Sequence, residues 1–137
     1  MPKLLVIDDN ENNRILLLRR LKPRGHEVLM AEDAETGIAL AREQQPQLIF
    51  MDVGLPGMDG WQASRALKSA AETRHIAIIA LTAHALPGDQ EKARAALCDD
   101  YESKPINFPI LFAKMEALLA RQAGAAAPAP PTPAATA

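Results

Sequence analysis

KLLVIDDN, residues 3–10, sets four consecutive apolar residues between a lysine and two aspartates. An apolar run of strand length, without polar alternation, suits a parallel strand covered on both faces. The same construction returns in LIFMD (48–52) and IAIIALT (76–82), and more weakly in EVLMAE (27–32) and DYESK (100–104). The candidate strands are therefore Lys3–Asp8, Glu27–Glu32, Leu48–Asp52, Ile76–Thr82 and Asp100–Lys104.

Helical patterns fill the intervals. Asn10 can cap a helix carrying Ile15, Leu18 and Leu21, which Pro23 and Gly25 would stop. Asp33 can cap a second, with Ile38 and Ala41 on its inner face. A third is expected from about Gly60 to Ala70 and a fourth from about Gly88 to Leu97. The last begins at Asn107 and repeats one apolar face through Leu111, Met115 and Leu118, with Pro109 tolerated in its first turn. Strand and helix alternating five times predict an α/β domain with a parallel sheet and right-handed crossovers.

The expected domain covers residues 1–123. Gly124 is a natural helix stop. The segment beyond it, AAAPAPPTPAATA (125–137), has no charge and no large apolar residue, so residues 124–137 read as a disordered tail.

Over 137 residues, 48% are hydrophobic and the formal net charge is −2, which predicts a packed globule. It also argues against a nucleic-acid partner, which would require clustered cations. One cysteine, Cys98, cannot make an internal disulfide, and no segment approaches a membrane span or a signal peptide. A cytoplasmic protein without membrane attachment is expected. Cys98 itself reads as a small buried apolar residue.

The strands end on polar groups: Asp8 and Asp9, Asp52, Thr82 and Lys104. Ligands of open α/β sheets bind outside the carboxyl ends of the strands, near the switch point in strand order. With the order 2-1-3-4-5, all these groups converge on one crevice. Three carboxylates there would repel one another unless a cation sits among them, and Mg²⁺ suits carboxylates combined with phosphate oxygens. Lys104 and Thr82 are suited to holding a phosphoryl group, and a carboxylate can serve as its nucleophilic acceptor. The plainer reading of Asp8, Asp9 and Asn10 is a helix N-terminus, compatible with metal binding. For Asp52 it is a turn residue.

VIDDN (6–10), MDVGLPGMDG (51–60), ALTAHALPGD (80–89) and DYESKP (100–105) together resemble the receiver domains of two-component response regulators, over roughly residues 3–121. The TAHA…GD and SKPI segments look most like those of stand-alone regulators of the DivK type, and receivers attached to hybrid histidine kinases share them. The resemblance implies a flavodoxin-like doubly wound (βα)5 sandwich, with Asp52 as phosphoacceptor. It implies Asp9 as direct Mg²⁺ ligand, Asp8 as a mainly water-mediated one and the Gly54 backbone carbonyl as a further ligand. Thr82 and Lys104 would hold the phosphoryl oxygens, Lys104–Pro105 would be a cis peptide, and Thr82 and Tyr101 would form the switch. For Tyr101 the alternative is a strand tyrosine that only packs, and for His84 an exposed imidazole rather than a partner contact. Trp61, opening the third helix close to the site, is expected only to pack or to cover the crevice rim. His26 and His75 carry no assignment.

The implied function is that of a single-domain response regulator, not an enzyme. It would take its phosphoryl group from a phosphohistidine on a sensor histidine kinase or a histidine phosphotransfer protein. Output would pass by protein contact through the face formed by the fourth helix, fifth strand and fifth helix. Three positions depart from the family's habit: Gly54, where a larger or polar side chain is common; Leu97, where glycine is common; and Pro87, in the loop that moves on activation. A Mg²⁺-dependent phosphatase working through an aspartyl phosphate is the alternative, but its usual second aspartate is replaced by Gly54. A flavin protein is a weaker rival, because DDNEN (8–12) would repel a flavin phosphate.

Overall fold

A computed structural model describes residues 2–83 and 88–126. His84, Pro87 and the Ala/Pro tail beyond residue 126 lie outside the described residues. Five strands, β1 (Lys3–Ile7), β2 (Glu27–Ala31), β3 (Leu48–Asp52), β4 (Ala77–Thr82) and β5 (Asp100–Ser103), alternate with helices α1 (Glu11–Leu21), α2 (Ala34–Gln44), α3 (Gly60–Ser69), α4 (Asp89–Ala95) and α5 (Phe108–Ala126). All pairings are parallel and the order is β2-β1-β3-β4-β5, a flavodoxin-like α/β fold. Strand order reverses between β1 and β3, which opens a crevice at their carboxyl ends.

Side chains alternate across the central strands and so divide the core in two. Leu4, Val6, Leu48, Phe50, Ile79 and Leu81 face α1 and α5, meeting Leu17, Leu21, Leu111, Met115 and Leu118. Leu5, Ile7, Ile49, Met51 and Ile78 face the opposite layer, with Ala34, Ala41, Ala63 and Leu67. β3 and β4 are buried along their whole length, as their unbroken apolar runs require.

The structure corrects several boundaries. β1, β2 and β5 each end one residue before the expected limit, and β4 starts one residue later. In α1 the buried residues are Leu17 and Leu21, while Ile15 and Leu18 are only half-buried. The Asn10 and Asp33 caps form, accepting from the N–H groups of Asn13 and Thr36. α3 has an unforeseen capping box between Asp59 and Gln62. α5 does not stop at Gly124 but continues to Ala126: alanines on either side favour helix strongly enough to carry one glycine.

α4 ends at Ala95, short of Leu97, in a Schellman turn. The Leu97 N–H donates to the Arg94 carbonyl at 3.0 Å and the Cys98 N–H to that of Ala93 at 3.0 Å. Leu97 sits at φ 64°, the left-handed region that glycine occupies without strain, and it is 54% exposed. Little burial is therefore lost on truncation there. Leu97→Gly should stabilise the protein by ~0.5–1 kcal/mol, the relief of strain exceeding glycine's added unfolded-state entropy. Thermal unfolding should show a rise of about 2–4 °C. An unchanged or lower midpoint would mean the strain is absorbed elsewhere.

Candidate functional site

The register brings the strand ends level. Ile7 pairs with Met51, Asp52 with Leu81 and Thr82 with Ser103, so Asp8, Asp52, Thr82 and Lys104 arrive at one edge. Asp8 follows β1 directly and is 1% exposed. Its N–H donates to the Ala31 carbonyl at 3.1 Å, extending the ladder past the end of the strand. Its Oδ1 accepts from the Asn10 N–H at 2.9 Å, and its Oδ2 from Lys104 Nζ at 3.1 Å. The Asp8 main-chain carbonyl accepts from Arg14 Nη1 at 2.7 Å.

Asp52 closes β3 and is also buried. Its Oδ1 accepts from the Gly54 N–H at 3.1 Å and lies 3.3 Å from Lys104 Nζ. One ammonium thus bridges two carboxylates drawn from β1 and β3. Lys104 is carried there by β5: its N–H donates to the Thr82 carbonyl at 2.7 Å, and the peptide that follows, to Pro105, is cis. Thr82, 1% exposed, is the last residue of β4.

Oxygen atoms of Asp8, Asp9 and Asp52 lie within 4.8 Å of one another. Among the described residues the Lys104 ammonium is the cation at ion-pair distance from these carboxylates, so with all three ionised the set itself keeps surplus negative charge. Burial pushes the Asp52 carboxyl above the usual range; the Gly54 N–H pulls it down, neighbouring Asp8 raises it and Lys104 lowers it. An all-oxygen donor set with surplus negative charge, part buried and part open through exposed Asp9, fits a hard divalent cation such as Mg²⁺. Bound there, that ion would supply positive charge to oxygens developing negative charge.

Tyr101 lies within β5, half-buried and opposite Ala80. Its carbonyl accepts from Lys114 Nζ at 2.6 Å, and the same ammonium lies 2.8 Å from Glu102 and 3.4 Å from Asp100. β5 and α5 are tied together on that face. Trp61 is half-buried in the first turn of α3. Burial pushes the Cys98 thiol up, consistent with an inert residue. His26, though in a loop, is buried.

Sequence reasoning passed over two residues. Arg14 has no signal beyond its position six residues after Asp8. Gly60 permits a close approach: a Cβ there would stand 2.2 Å from the Asp52 carbonyl oxygen and 2.5 Å from the Val53 Cα. Its N–H donates to the Val53 carbonyl at 3.2 Å, so the start of α3 rests on the loop leaving Asp52.

A doubly wound α/β domain with three carboxylates and a lysine gathered at its switch point has a site suited to a hard divalent cation. Comparison with known proteins gives it a family. Residues 4–116 match the response regulator receiver domain, and the chain belongs to that family. The polar-differentiation response regulator DivK of Brucella anthropi is 40% identical over 110 residues, covering 80% of this chain and 89% of that protein. Among solved structures, chemotaxis protein CheY4 of Vibrio cholerae superposes with TM-score 0.81 at 25% identity, covering 86% of this chain and 98% of that one. The receiver domain of a Pseudomonas aeruginosa sensor histidine kinase, described with a magnesium ion coordinated in its active-site cleft, gives TM-score 0.80 at 31% identity over 87% of this chain and 98% of that one.

The Asp8/Asp9/Asp52 triad is typical of the magnesium site of such domains. Membership places the protein in two-component signal transduction, implies a histidine kinase partner, and puts it in a family not generally classed as enzymes. No helix among the described residues is long and apolar enough to cross a membrane.

Proposed function

We propose that Asp52 accepts a phosphoryl group from a phosphohistidine on a histidine kinase or phosphotransfer protein, and that the phosphorylated domain acts through protein contact. The observation that carries this reading is the Lys104 ammonium, within 3.3 Å of both buried carboxylates, beside a third carboxylate. Phosphoryl transfer asks chiefly for positioning and for neutralisation of charge on the transferred oxygens. Asp52 Oδ1 is held by the Gly54 N–H, which leaves Oδ2 as the attacking atom. As the new acyl phosphate forms, Lys104 is within reach of its oxygens, and Thr82 stands one strand away to donate its hydroxyl. Asp9, Asp8, Asp52 and the Gly54 carbonyl are the candidate magnesium ligands. Thr82 and Tyr101, near the end and in the middle of adjacent strands, are the candidate switch pair. The fourth-helix, fifth-strand, fifth-helix face would then carry the output.

Labelling with radioactive acetyl phosphate tests this directly. Label should enter only with Mg²⁺ and stop near one per chain, without many cycles of phosphate release. Sustained turnover of generic phosphate esters would favour the phosphatase reading instead.

Gly54 sets the lifetime of the label. A Cβ there would sit 3.7 Å from Asp52 Oδ1, an ordinary contact, and Gly54 is not in the left-handed region, so a Cβ fits there without strain. Glycine leaves that approach open to water. Gly54→Leu should slow release of phosphate from the labelled protein by about tenfold, ~1.4 kcal/mol of barrier. The half-life of label after donor removal, at saturating Mg²⁺, measures it. Equal half-lives would show that water enters from another side.

A further inference from the structure

Asp9 is exposed, so packing does not aim its carboxylate. What precedes it is held firmly. The Asp8 N–H is tied to β2, the Asp8 carboxylate to Asn10 and Lys104, and the Asp8 carbonyl to Arg14 Nη1 at 2.7 Å. That carbonyl and the Asp9 N–H belong to one planar unit. Fixing its oxygen fixes the plane from which the Asp9 Cα departs.

Arg14 is well placed for this. Its own N–H donates to the Asn10 carbonyl at 3.1 Å, so it sits in the first turn of α1. Long helical side chains lean toward the N-terminus, which brings its guanidinium back over the β1–α1 loop. A hydrogen bond from a cationic donor is stronger than a neutral one, and this one is partly shielded from water.

We propose that Arg14 is a positioning residue of the carboxylate site: by pinning the Asp8–Asp9 peptide it holds the Asp9 carboxylate where the triad can share one divalent cation. The proposal rests on reading that triad as a magnesium site. An opposing effect exists, because the guanidinium charge repels a nearby cation. Arg14 is half-exposed, so solvent screens that repulsion, whereas the hydrogen bond acts at contact distance. Positioning therefore decides the sign.

The test uses the full chain, with Mg²⁺ binding followed by calorimetry and labelling by acetyl phosphate, which needs no protein partner. Arg14→Ala should raise the magnesium dissociation constant, and the Mg²⁺ concentration for half-maximal labelling, by about tenfold. The labelling rate at saturating Mg²⁺ should remain within twofold of wild type. Arg14→Lys, which keeps a cationic donor, should recover most of the affinity and guards against misfolding of the alanine protein. Four results would overturn the proposal. One is unchanged affinity in Arg14→Ala with only a lower melting temperature, which would mark a purely structural role. The second is tighter binding, which would mean repulsion dominates. The third is a loss confined to kinase-driven transfer, which would make Arg14 a partner contact. The fourth is a wild-type protein that shows no Mg²⁺ binding at all, which would bring down the reading of the triad itself.

Discussion

Asp52→Asn should take no label from acetyl phosphate or from a phosphorylated kinase, and in metal-free buffer it should melt above wild type. The first half follows from chemistry, since an amide offers no carboxylate oxygen to the phosphorus. The second follows from the environment of Asp52. Burial and the Asp8 carboxylate raise its folded-state pKa, while the unfolded chain leaves it ordinary. A carboxyl whose folded pKa is raised binds its proton more tightly in the native state. The penalty on the native state builds as pH rises through the unfolded pKa, is complete above the raised folded one, and vanishes below the unfolded pKa. Above that raised value the metal-free wild type bears it in full, and the neutral amide does not. Melting curves across the acid range should therefore converge for the two proteins as pH falls toward 4 and separate as it rises. Saturating Mg²⁺ should narrow the gap from the other side by stabilising the wild type alone. Label on Asp52→Asn at the wild-type rate would remove Asp52 from its assigned role.

Gly60→Ala should destabilise the protein by ~1–3 kcal/mol, because one methyl must displace backbone rather than a movable side chain. Its Cβ would enter to 2.2 Å of the Asp52 carbonyl oxygen. Melting should fall by roughly 4–10 °C. Labelling should slow at the same time, since the atom pushed belongs to the main chain of Asp52, the proposed phosphoacceptor. Gly54→Ala, with its new Cβ at an ordinary 3.7 Å, is the control expected to keep the fold intact. If Gly60→Ala melts with the wild type, α3 is free to ride outward, and the close approach is not what locates Asp52.

Much of this was legible in the chain itself. Unbroken apolar runs marked β1, β3 and β4, since only strands covered on both faces tolerate them. The polar residue closing each run marked the site, because parallel strands all point their carboxyl ends the same way. Less legible were features that depend on contacts across the fold. Nothing local distinguishes Gly60 from a helix-start glycine, or Arg14 from a solvated surface arginine. α1 misled in a simple way. Ile15, Leu18 and Leu21 share a spacing of three, but the helix turns its Leu17–Leu21 stripe inward, a spacing of four. At Leu97 a leucine stands where glycine is common, and the hydrogen bonds of the Schellman turn hold it in the left-handed region nonetheless.

The Lys104–Asp8 bridge joins residues 96 positions apart, across a sheet whose last strand is an outer one. Contacts of such high sequence separation form only after most loop-closure entropy has been spent. A chain still emerging from the ribosome, or one opened at β5, can hold both aspartates in place and still lack the cation between them. If Lys104 steadies the phosphoryl oxygens as proposed, fraying of the β5 edge should cost the site its cation before it costs either aspartate its place.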